Sequence, residues 1–183
     1  MSTYNVVVLS LLTDTHRRKK TNAILYNLGL GFKYFDAITP DNLNYYDKEI
    51  YFKDLDNHPK VNREAVMATF LSHLNILKNI FNSKTNTLLL EDDLIPARDF
   101  DFNNIDFDTF GVKQLMSEVS CCCQFYNWKE AGEIFWYLKS IYPTQAFDWE
   151  LHKLRDKFNS TTVDDPVFRQ SSEFVSNIAP HGY

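Results

Sequence analysis

Cysteine is confined to one spot in this chain: Cys121, Cys122 and Cys123 are the three it has, side by side. An odd, unspaced set excludes both a disulfide framework and a zinc site built on paired cysteines, and fits a reducing compartment. In a strand these residues would alternate between faces and serve as small, mostly buried apolar side chains. A surplus of basic residues is missing too. With 19 Lys and Arg against 24 Asp and Glu, and a formal net charge of -5, a general nucleic-acid binder is excluded, because such proteins carry cations to displace phosphate counterions. Long hydrophobic runs are absent. The longest near-apolar stretch, Val6 to Leu12, is far too short to span a bilayer, and no basic segment introduces a leader. The expected location is therefore cytoplasmic, with peripheral contact at a membrane surface as a further option. Five Gly and six Pro exclude collagen-like and low-complexity architectures, and no internal repeat or linker stands out.

What is present is a foldable composition: 183 residues, 44% hydrophobic and 15% aromatic. That length buries one sizeable core, so residues 1–183 read as a single domain. Tyr4 to Leu11 is an apolar, β-branched run and reads as a buried strand. Thr13-Asp14-Thr15 supplies capping chemistry for a helix that starts near Arg17, carries Ala23, Ile24, Leu28 and Leu30 inward, and stops at Gly29 or Gly31. A second strand follows over Phe32 to Ile38. Residues 39–61 read as a long irregular connection. Val66, Phe70, Leu74, Leu77, Ile80 and Phe81 mark a helix over Glu64 to Phe81, and Thr87 to Leu90 is a short strand. Further strands are expected around Phe107 to Val112 and over Cys121 to Tyr126, with helices over Trp128 to Tyr142 and Asp148 to Phe158. Strand, helix and strand in this order predict an α/β fold with a mostly parallel central sheet flanked by helices, whose ligands bind at the carboxyl ends of the strands.

The strand at Thr87 to Leu90 runs directly into Glu91-Asp92-Asp93. Three carboxylates gathered at one strand end repel one another unless a cation or a shared proton relieves them, which makes a hard divalent ion such as Mg2+ or Mn2+ the natural partner. If the strand continued, Glu91 and Asp93 would share a face and Asp92 would point away. The plainer alternative is that these acids merely end the strand and cap the next segment. Response-regulator receiver domains also end a strand in paired acids, but they need a phosphorylatable Asp on a later apolar strand, and none appears in the ninety residues after Asp93. The basic run His16-Arg17-Arg18-Lys19-Lys20 reads either as a solvated helical turn or as a contact to donor phosphates or an anionic membrane surface.

Four segments in order resemble glycosyltransferase family 25, the lipopolysaccharide-type galactosyltransferases. They are Val7-Val8-Leu9-Ser10 followed by Arg17-Arg18, then Phe35-Asp36-Ala37-Ile38, then Leu71-Ser72-His73 with Leu88-Leu89-Leu90-Glu91-Asp92-Asp93. The fourth is Phe147-Asp148-Trp149 with Arg169-Gln170-Ser171-Ser172 after Pro166. The Ser-His to Glu-Asp-Asp pairing is the distinctive part. The resemblance implies a GT-A-like nucleotide-sugar-binding fold and a UDP-sugar donor, most often UDP-galactose. It also implies a divalent metal cofactor, Mn2+ or Mg2+, and inverting transfer of a hexose to a glycan or glycolipid acceptor. Only 27 residues separate Asp93 from Cys121, which implies a shortened acceptor-side region. Met67-Ala68-Thr69-Phe70 replaces a more Gly-rich stretch ahead of Ser72-His73.

Carried over residue by residue, the resemblance implies that Asp93 and Glu91 hold the metal, with His181 completing its shell from the tail. It implies donor contacts from Ser10, Arg17, Asp36, His73, Glu91, Asp92, Gln170 and Ser171. Inverting transfer needs a base to take the acceptor proton, and Asp148 is the candidate. Its competing role is a helix amino cap ahead of Trp149, Leu151 and Leu154. His73 equally reads as a buried helical residue, and Asp36 as part of a turn with Pro40. Two other functions stay open. A noncatalytic carbohydrate- or partner-binding remnant of the same fold would bind glycans without metal, and a metal-dependent phosphohydrolase or nucleotidyltransferase would release phosphate or pyrophosphate.

Overall fold

The computed structural model describes residues 4–56, 61–103, 105–116, 120 and 122–171. The described residues contain eight strands: β1 (Asn5–Ser10), β2 (Lys33–Asp36), β3 (Thr87–Glu91), β4 (Leu94–Pro96), β5 (Val112–Gln114), β6 (Cys123–Tyr126), β7 (Ser160–Thr162) and β8 (Phe168–Gln170). The α-helices are α1 (Thr15–Asn27), α2 (Arg63–Ser83), α3 (Trp128–Ser140) and α4 (Phe147–His152). Six strands form one sheet in the order β2-β1-β3-β6-β5-β7, and β4 pairs with β8 in a small antiparallel ribbon beside it. In the main sheet β1 runs parallel to β2 and β3, and β5 parallel to β7. β6 alone opposes its neighbours. This is the α/β architecture with a mostly parallel sheet that the alternation of strand and helix predicts.

Two cores follow from the two-residue period of a strand. Val6 and Val8 of β1, Leu88 and Leu90 of β3, and Cys123 and Phe125 of β6 face one side. They pack with Leu25 of α1, Leu94, Phe102, Phe107 and Phe168. Leu9, Leu89 and Tyr126 face the other side and meet Phe70, Leu74 and Leu77 of α2, Ile134 and Leu138 of α3, and Phe147 of α4. Because both faces are covered, β3 reads Leu-Leu-Leu with every one of them buried. Each such side chain contributes about 1.5–3 kcal/mol relative to leaving it in water.

The helix ends follow from local chemistry. Asp14 caps α1 by accepting from Arg17 N at 3.1 Å, Asn62 caps α2 from Ala65 N at 3.2 Å, and Asn127 caps α3 from Lys129 N at 3.1 Å. α1 stops at Gly29, whose φ of +69° is open to glycine. Leu30 N–H returns to Leu25 O while Gly29 N–H returns to Tyr26 O, the paired bonds of a Schellman end.

Several boundaries differ from expectation. The buried stripe of α1 is Thr21 and Leu25, while Ala23 is exposed. Residues 39–56 are more ordered than an irregular connection. They hold a 3-10 turn at Pro40–Asn42 and a π-helical turn at Tyr46–Tyr51, because Leu43, Tyr51, Phe52 and Leu55 have an apolar core to enter. Phe107 and Phe110 pack from turns ahead of β5, which starts at Val112. α4 ends at His152, before the expected Phe158. β4, β7 and β8 are each three residues long, too short to leave a periodic signal.

Gly111 sits where the chain entering β5 passes the segment before β7. A Cβ there would lie 2.2 Å from the Phe158 carbonyl oxygen, a backbone atom that cannot swing aside. Gly111→Ala is therefore expected to cost about 2 kcal/mol or more of unfolding free energy, read as a lower urea midpoint with an unchanged slope.

Candidate functional site

Parallel pairing aligns the carboxyl ends of three adjacent strands. Ser10 stands opposite Asp36 across β1 and β2, and Leu9 opposite Glu91 across β1 and β3. Sequence segments far apart thus deliver polar ends to one edge of the sheet. β3 stops at Glu91, and Asp92 and Asp93 form the turn into β4, so the strand alternation expected for the three acids ends at the first of them.

Each acid has its own surroundings. Glu91 Oε1 lies 3.2 Å from His73 Nε2. Burial alone would raise its pKa, but the His73 hydrogen bond, a Cys122 contact and Arg17 outweigh burial and hold the carboxyl below its usual range. Asp92 Oδ1 lies 3.3 Å from Arg17 Nη1, and its backbone carbonyl accepts from Thr21 Oγ1 at 2.9 Å. Burial still pushes its pKa up, partly offset by Ser10 and Arg17. Asp93 is the least compensated. Oδ2 receives only a 3.5 Å contact from Gln170 Nε2, and Oδ1 is buried with no hydrogen-bond partner among the described residues. Burial, followed by the repulsion of Glu91 and Asp92, pushes its pKa up to about 7, against the opposing pull of Arg17.

The helix α1 supplies the cations. Arg17, Lys20 and Thr21 are spaced to lie on one face, which docks on the acidic turn: Arg17 bridges Asp14 and Asp92, and Lys20 Nζ reaches Ser171 Oγ at 3.2 Å. Arg18 was expected to act only as part of the basic run, yet it clamps two strand ends. Its Nη2 meets Asp36 Oδ1 at 2.5 Å and Ser10 O at 3.1 Å, its Nε meets Ser10 Oγ at 3.2 Å, and the guanidinium sits 4.5 Å over the Tyr34 ring. The basic run is thus split: Arg17, Arg18 and Lys20 turn inward, while His16 and Lys19 are exposed.

The remaining candidates converge on the same edge. Ser171 N–H donates to Asp93 O at 2.7 Å, which ties the β8 end to the acidic turn. Asp148 lies in the first turn of α4, close enough to feel the charges of Glu91 and His73. It is not the amino cap: Ala146 precedes the helix, and the Asp148 carboxylate accepts from Trp149 N at 3.0 Å. Burial, followed in the same direction by Glu91, raises its pKa despite that bond. Asp36 is taken by Arg18, whereas Pro40 opens the 3-10 turn capped at Thr39.

Three of the expected donor contacts are buried: Ser10 is 2% exposed, His73 0% and Ser171 6%, and each is engaged by protein groups. Asp36, 58% exposed at its side chain, and Gln170 face outward. His181 lies outside the described residues. Lys20 was singled out only as part of the basic run; Thr21, whose signal is its helical spacing from Arg17, and Cys122, whose Sγ lies 3.6 Å from Gln170 Nε2, were not singled out for this edge.

Among the described residues, no group of three or more His, Cys, Asp and Glu side chains forms a ready-made metal cage. Mg2+ and Mn2+ commonly take one or two carboxylates and draw their other ligands from phosphates and water. The buried, unsatisfied Asp93 Oδ1 beside Glu91 fits that kind of ion.

A sheet that gathers carboxylates, arginines and a buried aspartate at its carboxyl edge has the architecture of the α/β proteins that bind ligands at their strand ends. The chain belongs to glycosyltransferase family 25, described as LPS biosynthesis proteins, whose model matches residues 3–159. Its fold is similar to that of the apo-form glycosyltransferase GlyE of Streptococcus pneumoniae TIGR4, with 17% identity and a TM-score of 0.52 over 89% of this chain and 46% of the other. A second GlyE structure from the same strain matches at 15% identity and a TM-score of 0.49 over 88% and 46%. The chain thus spans about half the length of these solved structures. No curated protein matches the sequence. No helix among the described residues is long and apolar enough to cross a membrane.

An acid whose folded pKa lies above its unfolded value binds more protons when folded, so stability falls as pH rises between the two. For Asp93 that window runs from its ordinary value of 3.8 to about 7. Asp93→Asn in EDTA is therefore expected to raise unfolding free energy at pH 8 by about 1 kcal/mol or more. The gain should vanish by pH 4, as followed by urea denaturation at both pH values.

Proposed function

We propose that this chain is a nucleotide-sugar-dependent hexosyltransferase that moves galactose from UDP-galactose to a glycan acceptor with inversion, assisted by Mn2+ or Mg2+. Family membership supports the glycosyltransferase class. The observation that carries the finer reading is Asp93, a half-buried carboxylate next to two others, one of whose oxygens is buried with no hydrogen-bond partner among the described residues. Such an arrangement costs stability and is relieved by a cation. Asp93 and Glu91 would hold the ion, which when bound would offset charge on the departing diphosphate. Arg17 adds a fixed positive charge at the same edge, and Gln170 offers a neutral donor beside Asp93. Asp36, outward at the end of β2 with one oxygen on Arg18, would offer its other oxygen to a nucleoside hydroxyl.

Asp148 is the base in this reading. Its carboxylate takes the proton of the acceptor hydroxyl as that oxygen bonds to the anomeric carbon, and the bond from that carbon to the phosphate oxygen breaks with its electron pair leaving on UDP. Burial makes Asp148 a stronger base than an ordinary aspartate, and it lies near enough to Glu91 to feel its charge, which supports a base on the same edge as the proposed donor site.

UDP-galactose with Mn2+ at about 100 times Kd is expected to add about 2.7 kcal/mol of stability, seen as a higher melting temperature. Asp93→Ala should remove that shift, and a wild-type protein with no shift would exclude donor binding at this site. Asp148→Asn should keep the shift and lower turnover by about 10^2 to 10^4-fold, measured as UDP release. The wild-type rate should fall on the acid side at a pH above the ordinary aspartate range, since only the ionised carboxylate accepts the proton.

A further inference from the structure

The Ser72-His73 pair of α2 touches three separate segments of the site. Ser72 Oγ accepts from Ile38 N at 2.9 Å and donates to Ala68 O at 2.8 Å, which pins the chain just past β2 to the helix. His73 works in two directions from one ring. Its edge places Nε2 3.2 Å from Glu91 Oε1, and its face stacks on Phe147 with centroids 4.5 Å apart and planes within 15°. His73 and Phe147 are 0% and 2% exposed, so neither ring can relax into water. Phe147 is the first residue of α4 and Asp148 the next. A side chain with no exposed surface cannot bind a sugar, but it can set the distance between groups that do.

We infer that His73 is a positioning residue that locks Asp148 to Glu91: the ring edge orients the Glu91 carboxylate, and the ring face carries Phe147 and with it the start of α4. This rests on the functional reading above for the roles of Asp148 and Glu91. The mechanical coupling itself rests only on the two contacts. Edge and face are separable by substitution. His73→Phe keeps a ring for Phe147 and loses the bond to Glu91, whereas His73→Gln keeps an amide for Glu91 and loses the ring.

The two variants should therefore fail in opposite ways. With UDP-galactose hydrolysis as the reaction, water standing in for the acceptor hydroxyl, His73→Gln should retain the thermal shift from UDP-galactose and Mn2+ and lose roughly 100-fold in kcat, the scale of a small misplacement. His73→Phe should lose most of the donor shift, its KM for donor rising by a larger factor than its kcat falls. Phe147→Leu, which removes the stack from the other side, should reproduce His73→Gln, and the pair combined should lose no more than either alone. Amide hydrogen exchange supplies a readout that needs no activity: residues 148–152 should exchange roughly 3- to 10-fold faster in His73→Gln and Phe147→Leu, the scale of a lost aromatic stack, and not in His73→Phe. Equal losses in both His73 variants, or faster exchange of 148–152 in His73→Phe as well, would mean a merely structural histidine and overturn the inference. A wild-type protein that neither binds nor hydrolyses UDP-galactose would sink the functional reading, and the exchange pattern would still decide the coupling.

Discussion

The fold around this site depends on one electrostatic constraint: three carboxylates stand in sequence where β3 leaves the sheet, and each needs relief to stay charged in a half-buried place. The relief is unequal. His73 holds Glu91 in its charged form, and Arg17 reaches Asp92 across the gap from α1. Asp93 is offset only in part by Arg17, and one of its oxygens has no hydrogen-bond partner among the described residues. Unpaired buried charge is unfavourable, so the electrostatic cost of the cluster falls mainly on one side chain of the three.

Much of the rest is arranged to keep that edge rigid. Arg18 ties the end of β1 to the end of β2 through Ser10 and Asp36, and is itself sandwiched against Tyr34. Thr21 and Ser171 fasten the acidic turn through its backbone carbonyls at Asp92 and Asp93, by bonds that do not themselves engage the carboxylates. The helix α2 spans both the apolar core and the polar edge, since Phe70, Leu74 and Leu77 bury on the same helix that presents Ser72 and His73. A site on strand ends and a long packed helix is held more precisely than one on loops alone.

The Leu-Leu-Leu run of β3 and the spacing of Val66, Phe70, Leu74 and Leu77 were legible because burial on both faces of a sheet, or along one stripe of a helix, leaves a long regular pattern. The acidic tripeptide was legible because like charges in sequence call for an explanation. Arg18 as a clamp was not, since its partners are an aspartate 18 residues away and a strand carbonyl, and nothing local separates it from Arg17. The order within residues 39–56 was hidden for a similar reason: Tyr51, Phe52 and Leu55 make too short a patterned run among polar neighbours to signal a helix, and they bury against α2, α3 and α4.

By itself the sequence determined the longer strands and helices, where the negative charge collects, and the family to which the chain belongs, because these depend on local periodicity and on residues adjacent in the chain. Only the tertiary structure decided which acid is least compensated, that His73 is fully buried, and that Asp148 comes near enough to Glu91, 57 positions away in sequence, to feel its charge. Burial and charge pairing are set by what other segments bring to the same place, and no stretch of the chain carries that information alone.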